Sequence, residues 1–389
     1  MSELTNTQNS DRRIRRYLLT TVSALALLTS VSTRNARAAD EDTDRPTIWI
    51  ELGGQLEHIE GQGEPLTPGF LAMNPNSPVL TPVSPVQAQN PEPFGFTEDS
   101  KISFQPEDSN WVFSAGVRFG RSGNRREVHH QTSKVHYKYT GSGARNLTKP
   151  PKTSEDFADT QVHHQESYAI LDFSAGKDVG LGMFGSSASS TISLGVRFAQ
   201  FTSKETVDIR ARPDVHFKYA PAATKPQFIF PYFHSYHATG NASRSFHGIG
   251  PSLSWDGSTP IAGNLKNGEF SFDWGVSAAL LFGRQKARVR DQETGVYASK
   301  LAFNHSHYAT PPYTVTYQHP GGHVIDRSVI VPNVGGMAGA SWRIDNVKVS
   351  AGYRADFFFG AMDVGIDARK SATLGFYGPF ATISIGIGG

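Results

Sequence analysis

From Trp111 the chain alternates with a period of two: Trp111, Phe113, Ala115, Val117 and Phe119 share one face, and Val112, Ser114, Gly116, Arg118 and Gly120 share the other. That period belongs to a β-strand with one greasy face, and a helical period of 3.6 does not fit it. The pattern returns at Ile192–Phe198, at Phe270–Phe282, at Val347–Phe359 and at Ala381–Ile387. A soluble sandwich or barrel also alternates, but it packs the apolar face inside and shows many Lys and Glu to water. Here the second face is mostly Gly and Ser with occasional Arg and Asp, which suits a crowded, wet lumen. The sequence therefore predicts a membrane barrel with its apolar face toward lipid, and Trp111, Trp255, Trp342 and Phe359 at strand ends suit interfacial girdles. Low mean hydropathy does not oppose this, because only alternate residues of such strands meet lipid.

The N-terminus places the chain in an export route. Arg12, Arg13, Arg15 and Arg16 precede an apolar run from Tyr17 to Val31, and Ala36, Ala38 and Ala39 follow. This is the order of a cleaved signal peptide over residues 1–38, with the barrel domain in 39–389. The run is too short, and too interrupted by Thr and Ser, to match the roughly 20 apolar residues of a spanning helix. The segment holds six of the 37 basic residues and two of the 35 acidic ones, so the remainder has a formal net charge of −2 rather than +2. Such a balance gives no support to nucleic-acid binding. Cysteine is absent, which excludes disulfides, thiolate metal sites and thiol nucleophiles.

Strands are predicted near 47–58, 110–120, 125–139, 165–176, 190–207, 242–255, 269–288, 327–344, 347–360 and 373–387. The expected fold is an all-β, antiparallel transmembrane barrel of about ten strands, between eight and twelve, with short periplasmic turns and long extracellular loops. Arg121–Asn124, Lys177–Ser189, Asp256–Gly268 and Asp345-Asn346 are read as the tight links. The stretch from Ile59 to Ser109, rich in proline, is read as the first extracellular loop, long enough to hide a further hairpin.

Function in such a fold must be written on the inward face or in the loops. Continuing the alternation turns Glu51, Arg118, Asp172, Arg197, Arg244, Asp273, Arg343, Arg354 and Asp356 toward the lumen as candidate pore-lining residues. Mixed charges inside a membrane barrel require water or opposite charges, so the ring implies either a filled channel or an ion-pair network that stiffens the wall. Inward Gly116, Gly195, Gly248, Gly250, Gly275 and Gly352 either widen a conduit or permit close strand approach. Histidines cluster at 129/130, 163/164, 234/237 and 305–323, which mark outer strand ends and loops; no cluster has the spacing of a helical zinc site. Asp159 with His163 or His164, and Asp208 or Asp214 with His216, are the ingredients of a rim hydrolase. No phosphate loop, Gly-x-Ser-x-Gly elbow or His-Glu-x-x-His helix is present.

The stretches SRSFHGIGPSLSWDG (Ser243 to Gly257), FDWGVSAALLFGRQKA (Phe272 to Ala287), AGYRADFFFGAMDVG (Ala351 to Gly365) and GFYGPFATISIGI (Gly375 to Ile387) resemble the Legionella major outer-membrane protein-like pore-forming family. The resemblance covers mainly the C-terminal half and departs from the disulfide-linked members in lacking cysteine. It implies a non-enzymatic outer-membrane pore of a Gram-negative cell that passes ions and small solutes. Its implied partners are outer-membrane lipid, the barrel-assembly machinery and, as in many pores, further copies of itself; no cofactor, metal or nucleic acid is implied. The alternatives are a structural or adhesive barrel that binds through its extracellular loops, and the rim protease.

Overall fold

A computed structural model describes residues 48–61, 70–73, 80–83, 90–91, 94–106, 109–135, 153–179, 189–212, 228–264, 267–302, 313–366 and 368–387. The predicted export signal and residues 62–69, 74–79, 84–89, 92–93 and 107–108 of the proline-rich stretch lie outside the described residues. The strands are β1 (Ile48–Glu60), β2 (Phe70–Met73), β3 (Leu80–Val83), β4 (Phe94–Phe104), β5 (Trp111–Val135) and β6 (Thr153–Asp178). They continue with β7 (Ser189–Arg212), β8 (Phe228–Asn264), β9 (Gly268–Ala302), β10 (Tyr313–Ile344), β11 (Val347–Asp363) and β12 (Ser371–Ile387). Ten of them close a barrel in the order β1-β12-β11-β10-β9-β8-β7-β6-β5-β4, and β2 with β3 forms a separate two-stranded sheet. Closure is made by β1, whose Glu51 stands between Ser384 of β12 and Lys101 of β4. Each barrel strand thus has an antiparallel neighbour on both sides, which lets a sheet satisfy its backbone groups inside lipid.

The predicted number of ten is correct, but two of its members are not. Arg121–Asn124 is no turn: Gly123 and Asn124 pair straight across with Gln165 and His164, so β5 is one strand of 25 residues. The Ile59–Ser109 stretch is not all loop, because β4 lies within it and pairs with both β1 and β5. Asp256–Gly268 is likewise mostly strand, because β8 runs on to Asn264 and leaves only 265–267 as the link. From the Lys177–Ser189 link β6 takes Lys177 and Asp178, and 180–188 lie outside the described residues; Asp345-Asn346 holds as predicted. At Asp345-Asn346, Asp345 takes the left-handed conformation of a two-residue hairpin (φ 45°).

Burial alternates along the strands and separates the two faces. Outward side chains such as Leu194, Phe173, Val276, Phe282, Tyr353 and Ile385 are exposed despite being apolar. On β5 this belt runs from Trp111 to Phe119, about 27 Å along the strand and about 20 Å along the axis of a barrel tilted near 40°. That height matches the apolar band of a membrane barrel. Beyond Phe119 and Phe282 the outward residues change to Arg121 and Arg284, where the lipid face ends.

The barrel is uneven in height. Strands β5–β10 continue far past the belt, with β9 extending from Phe282 to Ala302, while β1, β4, β11 and β12 have at most 17 residues. The hydrophobic core lies inside the barrel, as inward rather than lipid-facing residues.

Candidate functional site

Near the turn end, where short links join the strands, the lumen is hollow. A cavity of about 380 Å³ is lined by small residues such as Ser114, Gly116, Ser174 and Ser254, and by six carboxylates and five cationic side chains. Seven of the nine predicted inward residues meet there: Glu51, Arg118, Asp172, Arg197, Asp273, Arg354 and Asp356. Their charges are paired across the wall and across the lumen. Arg118 of β5 reaches Asp356 of β11 at 2.5 Å, and Arg354 of β11 reaches Asp99 of β4 at 2.5 Å. Arg197 grips Asp172 at two points, Nε to Oδ1 at 2.6 Å and Nη2 to Oδ2 at 3.1 Å, a fork that suits guanidinium and carboxylate planes. Its remaining nitrogen donates to Asn333, which in turn donates to the Phe357 carbonyl at 3.0 Å. Nearer the mouth, Lys348 stands 2.7 Å from Asp273, and Ser384 donates to Glu51 at 3.2 Å. Mutual pairing with access to water accounts for so many charges within one barrel.

Two predicted residues lie elsewhere. Arg343 sits at the rim, its guanidinium 4.8 Å from the Trp49 ring centroid and its Nε donating to the Asp345 carbonyl. Arg244 is fully buried on the far side of the core, 3.0 Å from Glu205. The inward glycines also separate by role. A Cβ on Gly195, Gly250 or Gly352 would come within 2.3 Å of a neighbouring strand's backbone, so those glycines permit strand contact, whereas a Cβ on Gly116 would meet nothing nearer than the Ser100 carbonyl oxygen at 3.8 Å.

Above the vestibule the lumen is filled. Tyr168, Phe201, Phe246, Phe358 and Phe376 project inward from β6, β7, β8, β11 and β12 and form one cluster, in which Phe246 stacks on Phe201 while Tyr168, Phe201 and Phe358 meet Phe376. Tyr168 and Phe376 lie 4.2 Å apart between ring centroids, Phe201 and Phe358 4.6 Å, and Phe201 and Phe376 5.6 Å, within the range of favourable aromatic contact. Ile59, Leu281 and Val331 fill the gaps between the rings and the wall. Tyr168 lies flat over Gly120, its paired residue on β5, and its hydroxyl donates to Glu57 Oε2 at 2.6 Å and lies 2.8 Å from Thr97 Oγ1.

Beyond the plug, a bulge in β11 between Phe358 and Met362, with Gly360 at φ 70°, turns the chain into the barrel. Ala361–Gly365 is consequently buried on both faces. Gln285 of β9 holds this segment by donating to the Ala361 carbonyl at 3.0 Å, and its own oxygen accepts two bonds from Arg327. Asp363 accepts from the Gly365 and Lys370 amides, fixing the return into β12. The plug and this in-turned segment were missed in the sequence, although their aromatics fall out of register with the lipid-facing ones: Phe357 and Phe359 face outward, Phe358 inward.

The histidine and acid combinations do not assemble as expected. His163 faces outward and His164 inward, where it is buried 3.1 Å from Glu166. Asp159 bonds His129 instead, and it lies about 13 Å along the strand from His163. Asp208 is 3.3 Å from His237; Asp214, His216, His305 and His307 lie outside the described residues. Among the described residues no group of three or more His, Asp or Glu is placed to hold a metal ion.

No family model matches the chain, and no curated protein matches it. Among solved structures, a bacterial polysaccharide outer-membrane secretin aligns at 10% identity over 88% of this chain and 99% of its own, with a TM-score of 0.17. The transport unit of the autotransporter AIDA-I from Escherichia coli aligns at 8% identity over 90% and 93%, TM-score 0.17. The Ralstonia pickettii toluene transporter TbuX aligns at 9% over 88% and 90%, TM-score 0.15. Superpositions this loose establish no common fold, so the barrel stands on the chain's own strand pairing.

Proposed function

We propose that the chain is a pore-forming barrel of a Gram-negative outer membrane whose solute path is gated: a charged vestibule opens to the periplasm and ends at the aromatic plug. The observation that carries this reading is the division of one lumen into a hollow, ion-paired half and a filled, apolar half. Eight strands enclose just enough room for side chains and sixteen or more leave a channel, so ten leave space that residue size must decide. Here Gly, Ser and Thr keep the vestibule open, and five rings close the path above it. The lining carries six acids against five bases, which favours cations modestly over anions. Support for the outer membrane comes from the belt, the short links at one end and the export signal expected in the sequence.

The test is single-channel recording in planar bilayers. The native protein is expected to stay closed with rare brief openings, and Phe201→Ala/Phe376→Ala to conduct steadily with a cation-leaning reversal potential. A double variant that inserts and folds yet stays silent would contradict the gated-pore reading. Surface presentation is the second reading, favoured by the rise of β5–β10 above the belt. It predicts silence from both proteins.

A further inference from the structure

The outward face of β7–β10 changes character within one row. Phe198, Ile249, Phe282 and Ile330 are cross-strand partners in sequence, so they form a single apolar row over four adjacent strands. These four also floor a groove of about 550 Å³ on the outer wall, with His247, Arg284 and Ser328 along its upper edge. Above the groove, β9 directs Arg284, Lys286, Arg288 and Arg290 outward in consecutive rows. Their neighbours are short: Ser245, Ser243 and Asn241 on β8, and Ser328, Val324 and Gly322 on β10. Asp326 is the one acid among them, hydrogen-bonded to Arg284 Nε and 3.6 Å from Lys286. The wall at the same height on β5 and β6 is different, since Arg125 is paired with Glu127 at 2.5 Å and Asp159 with His129.

We propose that this face binds a phosphorylated glycolipid of the outer leaflet, with an acyl chain in the Phe198–Ile330 groove and phosphates against Arg284, Lys286, Arg288 and Arg290. The inference rests on the membrane reading above and adds a site to it. An apolar groove directly beneath four cations that share a single carboxylate, Asp326, is the complement of an amphiphile with an anionic head. The height of the basic column selects the kind of amphiphile. Arg284 to Arg290 spans about 20 Å of strand, or about 15 Å along the membrane normal at a typical tilt. A bilayer's headgroup layer is only about 5–8 Å deep on each side, so a simple phospholipid reaches the first one or two rows. A sugar-based head with phosphate at more than one level reaches them all.

The experiment uses the full-length folded barrel, first inserted into phosphatidylcholine vesicles to establish that it is a membrane protein. It is then equilibrated in mixed micelles with a multiply phosphorylated lipopolysaccharide, phosphatidylglycerol or phosphatidylcholine, and retained lipid is counted by native mass spectrometry. The native chain is expected to retain the lipopolysaccharide above phosphatidylglycerol, and phosphatidylglycerol above phosphatidylcholine. Lys286→Gln/Arg288→Gln/Arg290→Gln keeps the Arg284–Asp326 bond and should lose roughly a hundredfold in lipopolysaccharide retention, about fivefold for each cation. Arg125→Gln/Arg210→Gln, off the patch, should retain lipid as the native chain does. Equal retention by the triple variant and the native chain overturns the site, as does an equal loss in the control variant. Displacement by inorganic phosphate at matched concentration would make free phosphate the ligand and overturn the lipid assignment. Failure of the native chain to enter vesicles would instead overturn the membrane reading beneath it.

Discussion

The contact between Gly120 and Tyr168 ties three strands to the plug, and its energetics can be worked from geometry. A Cβ at residue 120 would stand 2.0 Å from Tyr168 Cε1 and 2.3 Å from Cζ, so in Gly120→Ala the ring must lift off β5. Overpacking of that kind costs about 1–3 kcal/mol. Lifting the ring also withdraws the hydroxyl from Glu57, where it donates at 2.6 Å, and a hydrogen bond to a charged group contributes about 1.5–3 kcal/mol. Gly120→Ala is therefore expected to cost about 3–5 kcal/mol, and Tyr168→Phe, which loses only the hydroxyl, about 2 kcal/mol. The two costs overlap, because a phenylalanine ring has no hydroxyl contact left to lose when it lifts. In a double-mutant cycle, the double variant should fall short of the sum by about 1–2 kcal/mol. The assay is reversible urea unfolding of the protein in lipid vesicles, followed by the mobility difference between folded and unfolded barrel. Additivity within about 0.5 kcal/mol would show that ring seating and the Glu57 bond are independent, and would refute the reasoning.

Three further outcomes follow from the same geometry. Arg244→Met should destabilise by about 3–5 kcal/mol because it removes the cation paired with buried Glu205, whereas Arg244→Met/Glu205→Leu should return most of that loss; urea midpoints decide between them. Arg197→Lys cannot make the two-point contact with Asp172 while also reaching Asn333, so it should lower stability by about 1–3 kcal/mol in the same unfolding assay. Asp326, on the exposed wall, is held below the usual carboxylate range by the hydrogen bond from Arg284. Its folded-state pKa is depressed, so its small contribution to stability is present above the unfolded pKa and is lost as pH falls through the folded one. Carboxylate NMR titration should show the Asp326 midpoint rising toward the ordinary range in Arg284→Gln, with Lys286 still holding it down in part, and an unmoved midpoint would contradict the assignment.

The lipid-facing half of the barrel was legible in the sequence because period-two alternation is a local signal that survives in Trp111–Phe119, Phe270–Phe282 and Ala381–Ile387. β4 was illegible for a physical reason. Its outward row reads Phe94, Phe96, Glu98, Ser100, Ile102 and Phe104, so a carboxylate and a hydroxyl interrupt the greasy face and mimic a polar loop. β5 was divided because Arg121-Ser122-Gly123-Asn124 has turn chemistry, and only the facing residues of β4 and β6 hold it straight. Seven of the nine charged residues line the cavity and Arg244 is buried in the interior, yet alternation alone does not report height along the axis. Arg244 therefore shared a row with Arg118 in the sequence while the core separates them in space. The plug needed one more step: recognising Tyr168, Phe201, Phe246, Phe358 and Phe376 as the aromatics of the opposite parity.

The central claim is that the vestibule and the space beyond the plug do not communicate in the resting protein. The chain has no cysteine, so a single introduced thiol reports its own surroundings. Ser254→Cys places one in the vestibule, and the folded protein is inserted in one orientation into sealed vesicles and exposed to a membrane-impermeant maleimide from either side. Modification from the turn end alone is predicted, with entry from the loop end appearing only when Phe201→Ala/Phe376→Ala is added. Equal modification from both sides of the barrel with its plug intact would contradict the account.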